Sequence, residues 1–66
     1  MSNKSGRRLK AFRDAKGMTQ LEVADAIGVS HSTIQKWENG AVSEATAKNL
    51  FKLGAILDFD VSELFK

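Results

Sequence analysis

Thr19-Gln20-Leu21-Glu22-Val23-Ala24-Asp25-Ala26-Ile27-Gly28-Val29-Ser30-His31-Ser32-Thr33-Ile34-Gln35-Lys36-Trp37-Glu38-Asn39-Gly40 is the stretch on which the fold turns. It opens with a capping box, in which Thr19 and Glu22 each satisfy the other's backbone amide, flanked by Met18 and Val23 in staple positions. The helix begun there runs through Ala24 and Ile27 to Gly28, which permits the positive φ of a tight turn. Val29-Ser30 then opens a third helix, with Ser30 as cap and Val29 and Ile34 as staple, ending at Asn39-Gly40. At 100° per residue this helix turns Ile34 and Trp37 inward and Ser32, Gln35, Lys36 and Asn39 outward. The small Ala24 suits a close crossing of two helices, so the unit reads as two short helices joined by a three-residue turn.

Outward from this unit the chain stays helical. Leu9, Phe12 and Ala15 give helical spacing to a first helix from about Ser5 to Gly17. Residues 1–5 are polar and expected to fray. Ser43 is the expected cap of a fourth helix, with Ala47, Leu50, Phe51, Leu53, Ile56 and Leu57 forming a broad apolar face. Asp60-Val61-Ser62-Glu63 reads as a second capping box, stapled by Phe59 and Leu64, that starts a short fifth helix. The expectation is an all-α, five-helix domain filling residues 1–66. A rival is kept open, because Phe51, Leu53, Ala55, Leu57, Phe59 and Val61 also alternate with period two, and Gly54 weakens a helix by ~1 kcal/mol. That pattern would give an α+β chain with a C-terminal hairpin. Helix is favoured because no Asn-Gly or Asp-Gly turn is present.

The chain has 66 residues and no cysteine. One small core is the most such a length can build, and a buried catalytic cleft is not expected. One histidine and no thiolate leave no metal centre, and no cofactor is expected. No apolar run approaches the ~20 residues of a membrane span, and no apolar stretch follows the first charges as in a signal peptide, so a soluble, cytoplasmic protein is expected. Net charge is +2, yet residues 1–20 hold six Lys/Arg against Asp14 alone, while the remainder is slightly acidic. Such asymmetry suits a polyanion approached by one face, although a merely solvated helix face has the same composition. No Ser/His/Asp, Cys/His, paired-carboxylate or phosphate-loop set occurs, so no enzyme and no small-molecule substrate are expected.

Thr19-Gln20-Leu21-Glu22-Val23-Ala24, Ile27-Gly28-Val29-Ser30 and Ile34-Gln35-Lys36-Trp37-Glu38-Asn39-Gly40 together resemble the helix-turn-helix of lambdoid phage repressors and Cro proteins. Leu50-Phe51-Lys52-Leu53 and Ser62-Glu63-Leu64-Phe65 are similar to that family's last two helices. The chain departs from it where the family often has a proline before the fourth helix and a glycine after it. Here Ser43 or Glu44 and Asp58 stand there.

The resemblance implies a repressor-like domain binding a pseudo-palindromic operator in double-stranded DNA, with the third helix in the major groove. It places His31, Ser32, Gln35 and Lys36 at base edges. Gln20, Ser30 and Asn39 fall to phosphates, as do the amides starting the fourth helix and the general clamps Lys4, Arg7 and Arg8. Gln20 would also brace the first recognition residue. Arg13 and Glu38 occupy positions of a partly buried ion pair. Trp37, on the inward face, is expected in the core rather than as a stacking platform. Phe59, Val61, Leu64 and Phe65 crowd the C-terminus and are expected to supply a weak homodimer contact that forms on DNA. An antitoxin or other protein-interaction module sharing the fold is the alternative. It would need a further exposed apolar surface.

Overall fold

Side-chain caps set most of the helix starts. In the computed structural model, which describes residues 3–66, four α-helices follow one another: α1 (Lys4–Ala15), α2 (Gln20–Ile27), α3 (His31–Lys36) and α4 (Ala47–Leu57). Thr19 and Glu22 form the full capping box of α2, Ser30 Oγ accepts from Thr33 N at the start of α3, and Thr46 Oγ1 accepts from Asn49 N at the start of α4. No strand occurs among the described residues, so the alternation between Phe51 and Val61 does not make a hairpin.

α3 does not stop at Lys36. It widens into a π-type turn, Trp37–Ala41, broken at Gly40, whose φ of 123° leaves the helical region. Val42–Glu44 makes a 3-10 turn, and Val61–Leu64 makes another after α4. The core joins Leu9 of α1, Val23, Ala24 and Ile27 of α2, Ile34 of α3, Trp37, Val42, Leu53 and Leu57 of α4, and Phe59 and Leu64 beyond it. Phe12 stacks on Phe59 with ring centroids 4.6 Å apart, pinning the C-terminal segment to α1.

Four expectations are corrected. The fourth helix is capped by Thr46, not Ser43: Val42, with no exposed surface, draws the chain into the core as a 3-10 turn, and Ala45 must extend (φ −70°, ψ 141°) before a helix can restart. The fifth helix is a 3-10 turn, because Asp60 Oδ1 accepts from Ser62 N and Oγ, two residues ahead, while Arg8 Nη1 takes the Glu63 carbonyl. Phe51 leaves the apolar face of α4 and is 69% exposed, since two residues' rotation carries it about 200° from Leu53. Of residues 1–5, Met1 and Ser2 lie outside the described residues, but α1 already begins at Lys4 and Asn3 Nδ2 donates to the Glu38 carbonyl at 3.1 Å, so the segment from Asn3 is tied down rather than frayed.

Gly54, read as a weakness, is a requirement of space. A Cβ there would stand 2.7 Å from the Phe59 carbonyl oxygen, and Phe59 N donates to Gly54 O at 3.0 Å. The chain after α4 folds back directly over the helix. Asp58 makes that reversal in the left-handed conformation, φ 58°, ψ 52°. Aspartate tolerates this region better than most residues, which is how the chain dispenses with a glycine there. No helix among the described residues is long and apolar enough to cross a membrane.

Candidate nucleic-acid interface

The joint between α2 and α3 positions everything on the exposed side of α3. Gly28 ends α2 at φ 79°, and both Gly28 N and Val29 N donate to Ala24 O, at 2.9 and 3.0 Å. Ala24 is fully buried where the helices cross. Ile34 and Trp37 are buried on the inner side of the α3 segment, which leaves Ser32, Gln35, Lys36 and Asn39 exposed on the other. These four line one open groove of about 560 Å³ together with Asn3, Gly40 and Ala41. His31 stands apart from that groove, at the first turn of α3, where it lines a second open pocket with Arg13, Asp14, Thr19, Gln20 and Leu21 among others.

A chain of polar contacts runs from the interior to His31. Arg13 and Glu38 form a two-point ion pair, Nε to Oε2 at 2.6 Å and Nη2 to Oε1 at 3.0 Å, with side chains only 10% and 4% exposed. Arg13 Nη1 also donates to the Met18 carbonyl at 2.8 Å, so one guanidinium ties α1, the loop before α2 and the end of the α3 segment. Hydrogen bonding to Glu38 holds the Arg13 pKa above its ordinary value, against the opposing effect of burial. Gln20 Nε2 donates to Glu38 Oε1 at 2.9 Å, and Gln20 Oε1 meets His31 Nε2 at 3.1 Å.

Other predicted site residues are deployed differently. Ser30 Oγ serves as the α3 cap and contacts the hydroxyls of Ser32 and Thr33, at 3.2 and 2.7 Å. Lys36 faces the groove, with Glu44 near its ammonium at 3.9 Å and both side chains well exposed, a geometry that contributes little. Lys4 and Arg7 are exposed on α1. Arg8 donates to the carbonyls of Glu63 at 3.2 Å and Lys66 at 2.6 Å, so within the chain it is a C-terminal tie rather than an open phosphate clamp. The apolar set at the C-terminus divides: Leu64 and Phe59 are buried in the chain's own core, Val61 is half-buried, and Phe65 alone is well exposed, because the 3-10 turn directs Leu64 inward beneath α1.

Sequence reasoning passed over Asn3 and Gly6. A Cβ on Gly6 would come within 2.5 Å of the Glu38 carbonyl oxygen and 2.8 Å of that of Trp37, so α1 touches the backbone of the wide turn. The available signal was a glycine inside a helix, where it costs about 1 kcal/mol without such a reason.

Comparison with known proteins fits this geometry. A family model described as helix-turn-helix matches residues 9–64. The HTH-type transcriptional regulator DicA of Escherichia coli (strain K12) is 40% identical over 52 residues, which cover 79% of this chain. The chain spans 38% of that relative's length. Among solved structures, SinR, described as the master regulator for biofilm formation and crystallised in complex with DNA, superposes with a TM-score of 0.83 at 31% identity, covering 94% of this chain and 98% of that one. The N-terminal DNA-binding domain of SinR from Bacillus subtilis gives a TM-score of 0.84 at 29% identity, covering 98% of this chain and 94% of that one.

Proposed function

This chain belongs to the helix-turn-helix family, and from that membership we propose that it is the operator-binding domain of a phage-type transcriptional regulator, a Cro-like protein or the N-terminal part of a repressor, acting on double-stranded DNA in the cytoplasm. The observation that carries the reading is the split of the α3 segment: Ile34 and Trp37 lock it into the core while Ser32, Gln35, Lys36 and Asn39 line one open groove. A rigid helix presenting amides, a hydroxyl and an ammonium on one side suits the edges of base pairs in a major groove.

In this reading His31, Ser32, Gln35 and Lys36 meet bases. Gln20, Ser30, Asn39, Lys4 and Arg7 meet phosphates, helped by the amides at the start of α4. Arg8 is left to its carbonyl ties. Pairing of two copies on a pseudo-palindromic site uses Phe65 and Val61, with Phe59 and Leu64 behind them. So small a patch falls far short of the ~1,200 Å² total of a stable interface. The homodimer is therefore weak in solution, and half-sites about one helical turn (~34 Å) apart supply the local concentration that it lacks.

Selection of bound sites from a random duplex library tests the proposal. A preferred site with two-fold symmetry is expected, with affinity falling steeply as salt rises through ~50–200 mM. Lys36→Ala should relax the preference at one base pair by ~1–3 kcal/mol, whereas Arg7→Ala should weaken all duplexes alike. No preference for any selected duplex over random DNA would overturn the assignment.

A further inference from the structure

The contacts leading to His31 have a polarity that the chemistry of the groups fixes. Glu38 is a carboxylate engaged by Arg13 at both oxygens, so it can only accept. The Gln20 group facing it, 2.9 Å away, is therefore the amide NH2, and the group facing His31 is the amide oxygen. That oxygen also only accepts. His31 Nε2, 3.1 Å from it, must carry a proton, whether the ring is neutral or charged. The lone pair of the neutral ring is then on Nδ1, which makes no hydrogen bond among the described residues, on a side chain that is exposed.

We propose that His31 is a specificity-determining residue whose tautomer is set by the Arg13–Glu38–Gln20 relay, so that it presents an acceptor to the base edge when neutral and a donor when protonated. This rests on the DNA-reading role proposed above. The neutral ring accepts from the exocyclic amine of adenine or cytosine. A proton taken from solvent onto Nδ1 turns the same nitrogen into a donor, suited to O6 or N7 of guanine. Besides Gln20, the open pocket that His31 lines has Arg13 and Asp14 of α1 and the uncharged Gly17, Met18, Thr19 and Leu21 on its other walls. Glu22 is held by the Thr19 amide, Glu38 of the wide turn reaches the ring only through Gln20, and Lys36 lies further along α3.

Two measurements decide it. Nitrogen-15 NMR of the imidazole in the free protein, at about pH 8, should show the Nε2–H tautomer, and Gln20→Met should convert it to a mixture of both. A dominant Nδ1–H form in the unaltered protein overturns the proposal, with or without DNA. On duplexes from the site selection, varied at the base pair whose preference changes in His31→Ala, the unaltered protein should favour adenine or cytosine at about pH 8. It should swing roughly tenfold towards guanine at about pH 5.5. His31→Asn, which retains an amide for adenine but cannot titrate, should not swing. Site preference that is intact and identical at both pH values overturns this inference alone. Absence of preference for any duplex at both values overturns the DNA-reading role as well.

Discussion

The α3 segment is held from two sides by opposite means. On the α1 side the contacts are polar and close: Arg13 grips Glu38, Asn3 donates to the Glu38 carbonyl, and Gly6 lets the backbones touch. On the core side the contacts are apolar, Ile34 and Trp37 joining Val23, Ala24 and Ile27 of α2 in a core that Leu53, Leu57, Phe59 and Leu64 close from beyond. The apolar side depends on area removed from water and is indifferent to angle. The polar side depends on the direction of each bond, and it bears on the end of the segment whose outer residues line the groove. Stability and aim are thus supplied by different parts of a very small molecule.

Breaking each side in turn tests this division. Glu38→Ala should cost about 3–5 kcal/mol, because Arg13 is left charged and buried with only the exposed Asp14 carboxylate, 3.4 Å from Nη1, to oppose it. Leu53→Ala, at a position with no exposed surface, should cost a similar 2–5 kcal/mol through lost burial and a cavity. Urea unfolding reads both. Replacing the whole pair, Arg13→Met with Glu38→Leu, should recover most of the stability lost by Glu38→Ala, since apolar groups of similar volume often substitute for a buried pair. DNA affinity should not recover with it, because Gln20 and His31 lose their anchor. Recovery of both would show that the pair aims nothing.

A subtler version uses the two close approaches. Gly6→Ala and Gly54→Ala each place a methyl under 3 Å from a backbone carbonyl oxygen, against Glu38 and Trp37 in the first case and Phe59 in the second. At Gly6 the methyl would also meet the Asn3 side-chain oxygen, which can turn aside, but the backbone oxygens in both cases cannot, so each should lose about 1–3 kcal/mol despite alanine's better helix propensity. The first displaces the wide turn and should reduce operator affinity beyond what the loss of folded protein explains. The second should leave the affinity of the folded fraction unchanged. Equal effects on binding would erase the distinction between the two sides.

The polar side was partly legible in the sequence and the apolar side only in outline. Thr19, Glu22, Gly28 and Ser30 act within a few residues of themselves, so the α2 and α3 starts could be read from local chemistry. The Arg13–Glu38 pairing spans 25 positions, and a family likeness pointed to it, with the helical wheel adding only that Glu38 lies beside the Ile34 and Trp37 face. Beyond Gly40 local rules misled: Ser43 is as good a cap as Thr46, but burial of Val42 decides between them. Asp60 and Glu63 had the spacing of a box, yet Asp60 bonds Ser62 and Arg8 arrives from α1 to take the Glu63 carbonyl. Gly54 looked like a defect and Gly6 went unremarked, because what they accommodate is backbone from elsewhere in the chain. The direction of the Gln20–His31 contact was hidden for the same reason, being set by a carboxylate on another element.

The smallest expected effect concerns the end of α4, where the apolar side meets the single non-glycine residue with positive φ among the described residues. Asp58 holds that conformation at some cost in backbone energy, and its carboxylate pairs with Lys16 of the loop after α1. Asp58→Gly relieves the first and removes the second. Left-handed backbone costs an L-residue roughly 1–2 kcal/mol, less for aspartate, and glycine's greater freedom in the unfolded chain returns part of the gain. The pair, with side chains 39% and 72% exposed, contributes at most about 1 kcal/mol. The net expectation is a stabilisation of about 0.5 kcal/mol or less in dilute buffer. Salt separates the two contributions, because about 1 M salt screens the pair and leaves the backbone untouched. The stabilisation should therefore grow between low and high salt in paired urea titrations. Destabilisation at low salt that reverses at high salt would mean that the tie to Lys16 outweighs the turn in closing the apolar side, whereas destabilisation under both conditions would mean that Asp58 holds its left-handed conformation at no net backbone cost.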